Sequence, residues 1–554
     1  MNPVEQAFSD SLNDRGPDKS ISTNKDRESV HRPLHEDEAL CSYILSTVKA
    51  PAGALKIRQS TIPDSGSGLF TTRDLAAGEL IFTSVPLVLC AEVGDSKEAC
   101  DFCFQQRRRA IHPVEDRLAH PGETLPDVYK CMGCNLYQYC SESCWQRAWD
   151  TGHLYECGLL AGAPYELDIR MLYRILILLR KKVLLPEQVR ALARLAHEQD
   201  KYEQFSSDWQ GVKDIAAEAK QRMKSELDVA DVLKLYCLIR CNSVPVDQTF
   251  RNSPLGSAID LGAAMMNHNC EPSIVIVFNS TRVEVRAARN IKAGEELQHC
   301  YRDIAYDCTF RSPRIAARYQ FKCQCDRCIR ESNRHYEGAS PDIDDPIIHI
   351  LATQGDLFAF IEKAKIQALG FGKSFDVSTL LADIANITEE GHAGRRWPDD
   401  LEPLPIALKS LAALCEAQGD IINTLKIRVR ALGYAKYRNT LPYAEDLIDF
   451  VVSLRAFTMY PHRKVVLDGP LPKFKEFEDF CVGHMCALYA LMVRFYGEQG
   501  RVTRIIRDVM HEEIDKYYGP RPPTRPFRRK FKASHETILK WAGVDAKHWI
   551  VEIS

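Results

Sequence analysis

The chain has 554 residues, of which 45% are apolar and 27% charged, and its formal net charge is −3. This length exceeds what one core holds and predicts about three to four domains. The near-neutral charge argues against nucleic acid or an anionic membrane as the main partner. The first 35 residues lack the apolar segment of a signal peptide, and the most apolar stretch, MLYRILILLRKKVLL, is too short and too charged to span a bilayer. We therefore expect a soluble monomer in the cytoplasm or the nucleus.

The first half of the chain alternates between strand-rich and helical patterns. Residues 1–45 are polar and mixed in charge, so we predict disorder there. The glycine turn SGSGLFTT and the β-rich segment AGELIFTSVPLVLC predict strands within 55–95. A cysteine-rich module follows at 100–157, and apolar residues at helical spacing predict helices over 158–241.

The second half begins with strands and continues with helices. Residues 242–305 contain two β-branched runs around the turn NST, and a second cysteine cluster lies within 306–330. The stretch ESNRHYEGASPDIDDP predicts a linker, and residues 345–554 are mostly helical in pattern, with one helical hairpin joined near Gly419. The predicted fold class is α+β with an all-helical C-terminal domain.

The number of cysteines needs an explanation. Twenty cysteines placed at random would give about one C-x-x-C pair or fewer, but the chain has three. In a reducing compartment such spacing favours zinc thiolates over disulfides. The three pairs are Cys100/Cys103, Cys131/Cys134 and Cys325/Cys328.

The module at 100–157 has eight candidate ligands in four pairs, enough for two closed tetrahedral zinc sites. Closed sites are structural and fold a segment too small to fold by itself. His112 and His120 are alternatives for one position, although neither has a partner at ligand spacing. The eight candidates are Cys100, Cys103, Cys131, Cys134, Cys140, Cys144, His153 and Cys157.

The second cluster, FKCQCDRC, is one ligand short of a tetrahedral zinc site. Its thiols are those of Cys323, Cys325 and Cys328. The predicted fourth ligand is Cys270, in the stretch MMNHNCEPS. Cys237 and Cys241 also have ligand spacing, but they lie in an apolar helical run and are interpreted as buried free thiols.

The order of glycine turn, cysteine-rich module, helices, NHNC, GEEL followed by a tyrosine, and CQCDRC resembles the SET and MYND domain lysine methyltransferases. The resemblance covers roughly residues 55–330. It implies a β-rich SET fold split by a MYND zinc finger and a helical insert, then a zinc-bound post-SET segment. It also implies three structural zinc ions, S-adenosylmethionine as methyl donor, and a lysine of a histone or non-histone protein as acceptor. In the finger it implies interleaved pairing, with Cys100/Cys103 joining Cys140/Cys144 and Cys131/Cys134 joining His153/Cys157.

The resemblance assigns six residues to the cofactor, of which Phe321 lies just before the last cysteine cluster. Asn267 and His268 of the N-H-x-C motif hold S-adenosylmethionine, and an upstream C-N-S points to Asn242. The glycine turn packs on the amino-acid end of the cofactor, which implies Gly66 and Gly68. The alternative for Asn267 and His268 is a helix cap followed by a hydrogen-bonded polar residue.

Methyl transfer to lysine is an in-line displacement that needs alignment and a neutral amine rather than a strong base. The resemblance places the hydroxyl of Tyr301 at the reacting amine, Tyr319 in the lysine channel and Phe321 over the adenine. For Tyr319 and Phe321 the alternative is plain core packing. Glu295 and Glu296 are rivals for acid–base work, but we interpret them as turn and strand residues that fix the knot.

Three serines depart from the usual pattern of the resemblance. A basic residue usually stands at the position of Ser65, and asparagine usually stands at those of Ser67 and Ser273. The insert between Cys103 and Cys131 is also longer than usual.

Two other functions compete with an enzyme. In a non-catalytic adaptor, the finger would bind partner peptides, proline-rich ones by the resemblance, beside a degenerate SET scaffold. Intact Asn267, His268 and Tyr301 favour the enzyme. A DNA-binding zinc protein would need a basic face, but the basic stretches at 105–110 and 521–532 are interpreted as solvated loops because the whole chain is not basic.

Overall fold

The computed structural model separates the chain into two compact units. The first comprises Met1–His112, Pro121–Tyr301 and Ile315–Lys322, and the second Pro113–His120, Arg302–Arg314 and Cys323–Ser554. The residues described are 2–13, 33–92, 99–104, 129–160, 166–206, 208–246, 255–301, 304, 306–337, 340, 343–369, 376–435, 440–459, 472–518 and 525–551. None of the helices within these ranges is long and apolar enough to cross a bilayer.

The first unit holds the strands of the described chain. They are β1 (Val48–Lys49), β2 (Leu55–Gln59), β3 (Ser67–Thr71), β4 (Leu80–Ser84), β5 (Val88–Ala91), β6 (Tyr129–Lys130), β7 (Gln138–Tyr139), β8 (Val244–Pro245), β9 (Gly256–Ile259), β10 (Asn267–His268), β11 (Ile274–Asn279), β12 (Arg282–Ala287) and β13 (Gln298–His299). A four-stranded sheet has the order β1-β4-β12-β11, a three-stranded sheet has the order β5-β9-β8, and β2 pairs with β3. The pair β11–β12 is antiparallel around the predicted turn, where Ser280 has a positive φ of 59°.

Helices of the first unit pack beside these strands. They are α1 (Pro3–Leu12), α2 (Glu38–Thr47), α3 (Glu142–Ala148), α4 (Leu154–Leu160), α5 (Leu167–Arg180), α6 (Pro186–Ala193), α7 (Gln199–Phe205), α8 (Trp209–Met223) and α9 (Val229–Asn242). Helix α5 buries nine of its fourteen residues, as its apolar spacing predicts.

The prediction of disorder over 1–45 is wrong for α1 and for most of α2. The side chain of Asn2 caps α1, and Phe8 and Leu12 are buried in the core of the first unit. Two apolar residues four positions apart give a narrow apolar stripe, which the polar composition of the segment concealed. Residues 14–32 lie outside the described part of the chain.

The other α-helices of the described residues follow along the chain. They are α10 (Cys308–Tyr319), α11 (Asp326–Tyr336), α12 (Pro346–Leu369), α13 (Val377–Thr388), α14 (Leu404–Ala417), α15 (Ile421–Gly433), α16 (Leu441–Met459), α17 (Phe474–Tyr496), α18 (Arg501–Tyr518) and α19 (Arg525–Trp541). The predicted hairpin is confirmed: Gly419, with a φ of +76°, follows α14, and Asp420 caps α15.

The basic stretch at 521–532 is not a loop throughout. Helix α19 begins at Arg525, buries Phe527 and Phe531, and exposes the basic residues between them. The interpretation as a loop missed that the two phenylalanines stand four residues apart, which is helical spacing. Residues 521–524 and the second basic stretch, at 105–110, lie outside the described residues.

Docking of α1 on the core can be tested by truncating its buried aromatic side chain. Phe8→Ala should lower the free energy of unfolding by about 3 kcal/mol, because it removes a fully buried ring and leaves a cavity. Gln6→Ala, on the exposed side of the same helix, is the matched control and should change it by less than about 0.5 kcal/mol. Urea unfolding measures both. Equal stability of the two variants would show that α1 is not part of the core.

Candidate active site

Two short segments of the first unit lie side by side as a parallel pair. In β10 and β13, Asn267 is opposite Gln298 and His268 is opposite His299. The adjoining Ser273 is buried, and its backbone N–H donates to the carbonyl of Gln298 at 2.9 Å. The N–H of Gln298 donates back to the hydroxyl of Ser273 at 2.9 Å. Ser273 therefore joins the two segments at a position where the family that the sequence resembles usually has asparagine.

A buried carboxylate holds this pair against the strand hairpin β2–β3. Oε1 of Glu296 accepts hydrogen bonds from the hydroxyl of Ser60 and from Nδ2 of Asn267, both at 2.8 Å. Oε2 accepts from the backbone N–H of Thr61 at 2.8 Å and from its hydroxyl at 2.5 Å. Four donors on one carboxylate indicate that Glu296 braces the fold rather than transfers protons. Glu295 instead accepts from groups of its own turn.

The two glycines of the glycine turn, Gly66 before β3 and Gly68 within it, serve different purposes. Gly66 has a φ of +64°, which favours glycine, and a Cβ built on it would meet nothing within 4 Å. A Cβ on Gly68 would lie 2.9 Å from Cδ of Glu296, so only glycine fits beside the carboxylate. Between them, the carbonyl of Ser67 accepts from Nδ2 of Asn267 at 3.0 Å. The turn and Asn267 are therefore one hydrogen-bonded unit with open space beside Gly66.

The imidazole of His268 links the backbone of Tyr301 to Cys270. The N–H of Tyr301 donates to Nδ1 of His268 at 3.0 Å, which places the ring proton on Nε2. Nε2 lies 3.2 Å from Sγ of Cys270, to which it donates. A protonated nitrogen does not bind a metal, so the grouping of His268, Cys270 and Cys300 within 4.8 Å is not a metal site in this tautomer.

Tyr301 lies inside an aromatic cluster. Its ring centroid is 4.6 Å from that of Tyr319, 5.1 Å from that of His268 and 6.4 Å from that of Phe321. Its hydroxyl donates to the carbonyl of Met266 at 3.0 Å. Burial, and then the neighbouring Tyr319, raise the pKa of Tyr301, so the phenol stays neutral. The structure thus brings together three predicted site residues, Tyr301, Tyr319 and Phe321.

Asn242 ends helix α9 and is buried. Its Nδ2 donates to the carbonyls of Ala196 at 2.6 Å and Leu238 at 2.8 Å. Both amide hydrogens are therefore used inside the protein, which leaves Oδ1 as the atom that could accept from a ligand. A place for Asn242 at the cofactor stays a prediction.

Sequence reasoning missed the residue that holds the aromatic segment in place. The guanidinium of Arg318 makes a two-point contact with the carboxylate of Asp168, at 3.0 and 3.2 Å, and donates to the hydroxyl of Ser243 at 3.0 Å. The hydroxyl of Tyr202 donates to the carbonyl of Arg318. These contacts hold Arg318 and thereby the adjacent Tyr319. Nothing in the local sequence predicts them, because the partners of Arg318 lie 75 to 150 positions away.

The glycine turn, the parallel pair and Tyr301 lie within one matched region of the chain. Residues 66–302 match the family model described as the SET domain. The chain contains a SET domain. Its matched part begins at the glycine turn and ends just after the parallel pair and Tyr301.

Relatives that carry the SET domain extend the comparison. Histone-lysine N-methyltransferase SMYD3 of Mus musculus is 27% identical over 286 residues, which are 50% of this chain and 62% of that protein. N-lysine methyltransferase SMYD2-B of Danio rerio is 26% identical over 286 residues, 50% of this chain and 61% of that protein. These matches cover less than two thirds of either relative. They confirm the resemblance to SET and MYND domain methyltransferases.

The cysteine-rich module within the SET domain match brings its eight candidate ligands into two sets. In each set the ligand atoms all lie within 4.8 Å of one another. The sets are Cys100, Cys103, Cys140 and Cys144, and Cys131, Cys134, His153 and Cys157. This is the interleaved grouping that the resemblance implies. The alternatives His112 and His120 lie outside the described residues.

Distances within the two sets suit zinc. Tetrahedral zinc with sulfurs at 2.3 Å separates those sulfurs by about 3.8 Å. The Sγ atoms of Cys103 and Cys140 are 3.6 Å apart, those of Cys140 and Cys144 are 3.5 Å apart, and those of Cys131 and Cys157 are 3.7 Å apart. Both sets are therefore already close to the size of a zinc site.

An acidic side chain stands behind the histidine ligand. Nε2 of His153 lies 3.3 Å from Sγ of Cys131, and Nδ1 lies 3.6 Å from the carboxylate of Glu156. Burial would raise the pKa of Glu156, but Arg174 lowers it to about 2, so the carboxylate stays ionised. Nε of Arg174, in α5, donates to Glu156 at 3.2 Å. Glu156 and Arg174 thus form a charged pair beside the histidine, and this pair fixes the module to the helical insert.

Two further groups of cysteines were singled out in the sequence: the second cluster and the pair in helix α9. In the second unit, the thiols of Cys323, Cys325 and Cys328 lie within 4.8 Å of one another. Cys270 belongs to the first unit, and its role as their fourth metal ligand stays a prediction. Cys237 and Cys241 belong to none of the ligand sets among the described residues, and burial raises the pKa of both thiols to about 12.

The ligand sets predict the metal content of the chain. We expect three zinc ions per chain: two in the sets of the module, and a third that the sequence predicts at the thiols of the second unit. Elemental analysis of purified protein measures this number. Cys131→Ser should remove one of the three by breaking the second set, whereas Cys237→Ser, the matched control, should remove none. Two zinc ions or fewer in the wild-type protein would contradict the assignment.

Proposed function

We propose that the protein is an S-adenosylmethionine-dependent protein-lysine N-methyltransferase. The observation that carries the proposal is the neutral, partly buried hydroxyl of Tyr301, which lies among aromatic rings and donates to the carbonyl of Met266, the residue next to Asn267. The SET domain match and relatives named as lysine methyltransferases support it.

The residues around the glycine turn fit this cofactor. Open space lies beside Gly66, and its left-handed backbone lets a ligand approach without meeting a side chain. Asn267 is only partly buried, and Oδ1 of Asn242 can accept a hydrogen bond from an ammonium group. Gly66, Gly68, Asn242, Asn267 and the backbone of His268 would hold the group, and Phe321 would cover its adenine. When bound, S-adenosylmethionine supplies a methyl group on a positively charged sulfur.

Tyr301 orients the amine that accepts the methyl group. Its hydroxyl hydrogen is committed to the carbonyl of Met266, so the oxygen presents its lone pairs to the lysine amine as an acceptor. An N–H held in this way turns the nitrogen lone pair toward the methyl group. The rings of Tyr319 and Phe321 exclude water, which lowers the pKa of a lysine in the channel and favours the neutral nucleophile.

The proposal also covers the order of the domains, the methyl acceptor and the location of the protein. The SET fold is split by a MYND zinc finger at 100–157 and by the helical insert at 158–241, and the zinc-bound segment at 306–330 follows it. The acceptor is a lysine of a histone or non-histone protein, and the protein acts as a monomer in the cytoplasm or the nucleus.

One observation favours an additional binding role for the finger. Tyr129 and Met132, beside its second ligand pair, are 65% and 101% exposed. Exposed apolar side chains on a small rigid module suit a partner peptide, and the resemblance points to proline-rich ones. An adaptor without catalysis needs this surface but needs neither Tyr301 nor the open space beside Gly66.

Incubation with labelled S-adenosylmethionine and a cell extract separates the enzyme from the adaptor. We expect the label to enter a lysine of at least one protein. An extract that stays unlabelled, together with no cofactor binding by calorimetry, would contradict the proposal and favour the adaptor.

Removal of one oxygen atom tests the role of Tyr301. Tyr301→Phe should lower kcat by about a hundredfold, because it removes an oriented polar group at the reacting centre. Cofactor affinity should stay within about threefold, because the ring still fills its place. Tyr434→Phe, a change of the same type in the second unit, is the control and should keep normal turnover, because the hydroxyl of Tyr434 contacts the carbonyl of Gly543 in a solvent-exposed hydrogen bond. Normal turnover in Tyr301→Phe would contradict the assignment.

A further inference from the structure

A turn from the N-terminal part of the chain touches the glycine turn. Residues Leu34–Glu36 form a single 3-10 turn. The backbone N–H of His35 donates to the hydroxyl oxygen of Ser67 at 3.0 Å, and Nδ1 of the same histidine lies 3.1 Å from that oxygen. Ser67 stands between Gly66 and Gly68. One hydroxyl of the glycine turn is thus held at two points by a residue 32 positions earlier.

The turn that carries His35 is itself anchored. Leu34 is buried in the core, and its carbonyl accepts from Sγ of Cys41 at 3.5 Å. Asp37 caps α2 and pairs with Arg190 of the helical insert. The turn that carries His35 is therefore fixed on both sides, by Leu34 before His35 and by Asp37 after it.

Ser67 connects this anchored turn to the candidate cofactor site. Its hydroxyl belongs to the contact with His35, and its carbonyl accepts from Asn267, whose Nδ2 also reaches Glu296. Within the turn, the N–H of Ser60 donates to the carbonyl of Gly66 at 2.9 Å. A shift of Ser67 would therefore move both Gly66 and the partner of Asn267.

We infer that His35 is a positioning residue of the cofactor site, and that Ser67 replaces the usual asparagine because its hydroxyl docks on the N-terminal turn. The inference rests on the proposed function. It makes the N-terminal part of the chain, whose composition suggests disorder, a structural support of S-adenosylmethionine binding. His35 itself touches neither the cofactor nor the lysine in this scheme.

Single and double variants test the contact. His35→Ala and Ser67→Ala should each raise the Kd for S-adenosylmethionine by about three- to tenfold, the effect of losing one or two hydrogen bonds. His35→Ala removes the Nδ1 contact and keeps the backbone N–H, whereas Ser67→Ala removes the hydroxyl that both contacts share, so the double variant should bind no more weakly than Ser67→Ala alone. The kcat at saturating cofactor should stay within about twofold. His35→Asn should restore most of the affinity, because an asparagine amide reaches the position of Nδ1. Ser46→Ala, exposed on α2, is the matched control.

Hydrogen exchange gives a readout that does not depend on the cofactor. The amide of Ser60 should exchange faster in His35→Ala and Ser67→Ala than in wild type or Ser46→Ala, because its acceptor Gly66 loses support. Unchanged exchange and affinity, or faster exchange with unchanged affinity, would overturn the inference. Losses of affinity that add in the double variant would also overturn the inference. A wild-type protein that binds no S-adenosylmethionine contradicts the proposed function instead, and the exchange of Ser60 then still decides whether His35 holds the turn.

Discussion

The candidate site depends on one buried carboxylate. Glu296 receives four hydrogen bonds from three parts of the chain: the end of the first hairpin strand, the loop after it, and Asn267. A buried charge is costly unless donors surround it, so the fold that satisfies Glu296 is strongly favoured over alternatives that do not. The same carboxylate leaves no room for a side chain at Gly68. The glycine turn and the parallel pair are therefore fixed together before any ligand binds.

A second connection runs from the parallel pair to Cys270, a predicted zinc ligand. His268 accepts from the backbone of Tyr301 and donates to Cys270, so a single imidazole relates the position of the proposed catalytic phenol to that of a predicted zinc ligand. At the module, the pair of Glu156 and Arg174 connects the histidine ligand to helix α5. Helix α5 also carries Asp168, the partner of Arg318, so the second set of the module need not touch the reactants to affect the site.

Sequence reasoning succeeded where the signal is local and failed where it is not. Ligand spacing and the resemblance together predicted both sets of the module, and the apolar spacing of α5 predicted a buried helix. Helix α1 was missed because its apolar stripe is narrow and its partners lie more than 150 residues away. The clamp of Arg318 on Asp168 and the contact of His35 with Ser67 were also missed. In both pairs, residues of ordinary type acquire their role from the fold alone.

Glu296 and its neighbour Glu295 offer the most direct measurement. Glu296→Gln turns one carboxylate oxygen into a donor that faces other donors, so titration calorimetry should show the affinity for S-adenosylmethionine falling at least about tenfold, or about 1.4 kcal/mol. Glu295→Gln changes the same charge one residue away, where the side chain is part of a surface turn, and should leave the affinity within about twofold. Equal affinity in both variants would contradict the claim that the buried carboxylate builds the cofactor site.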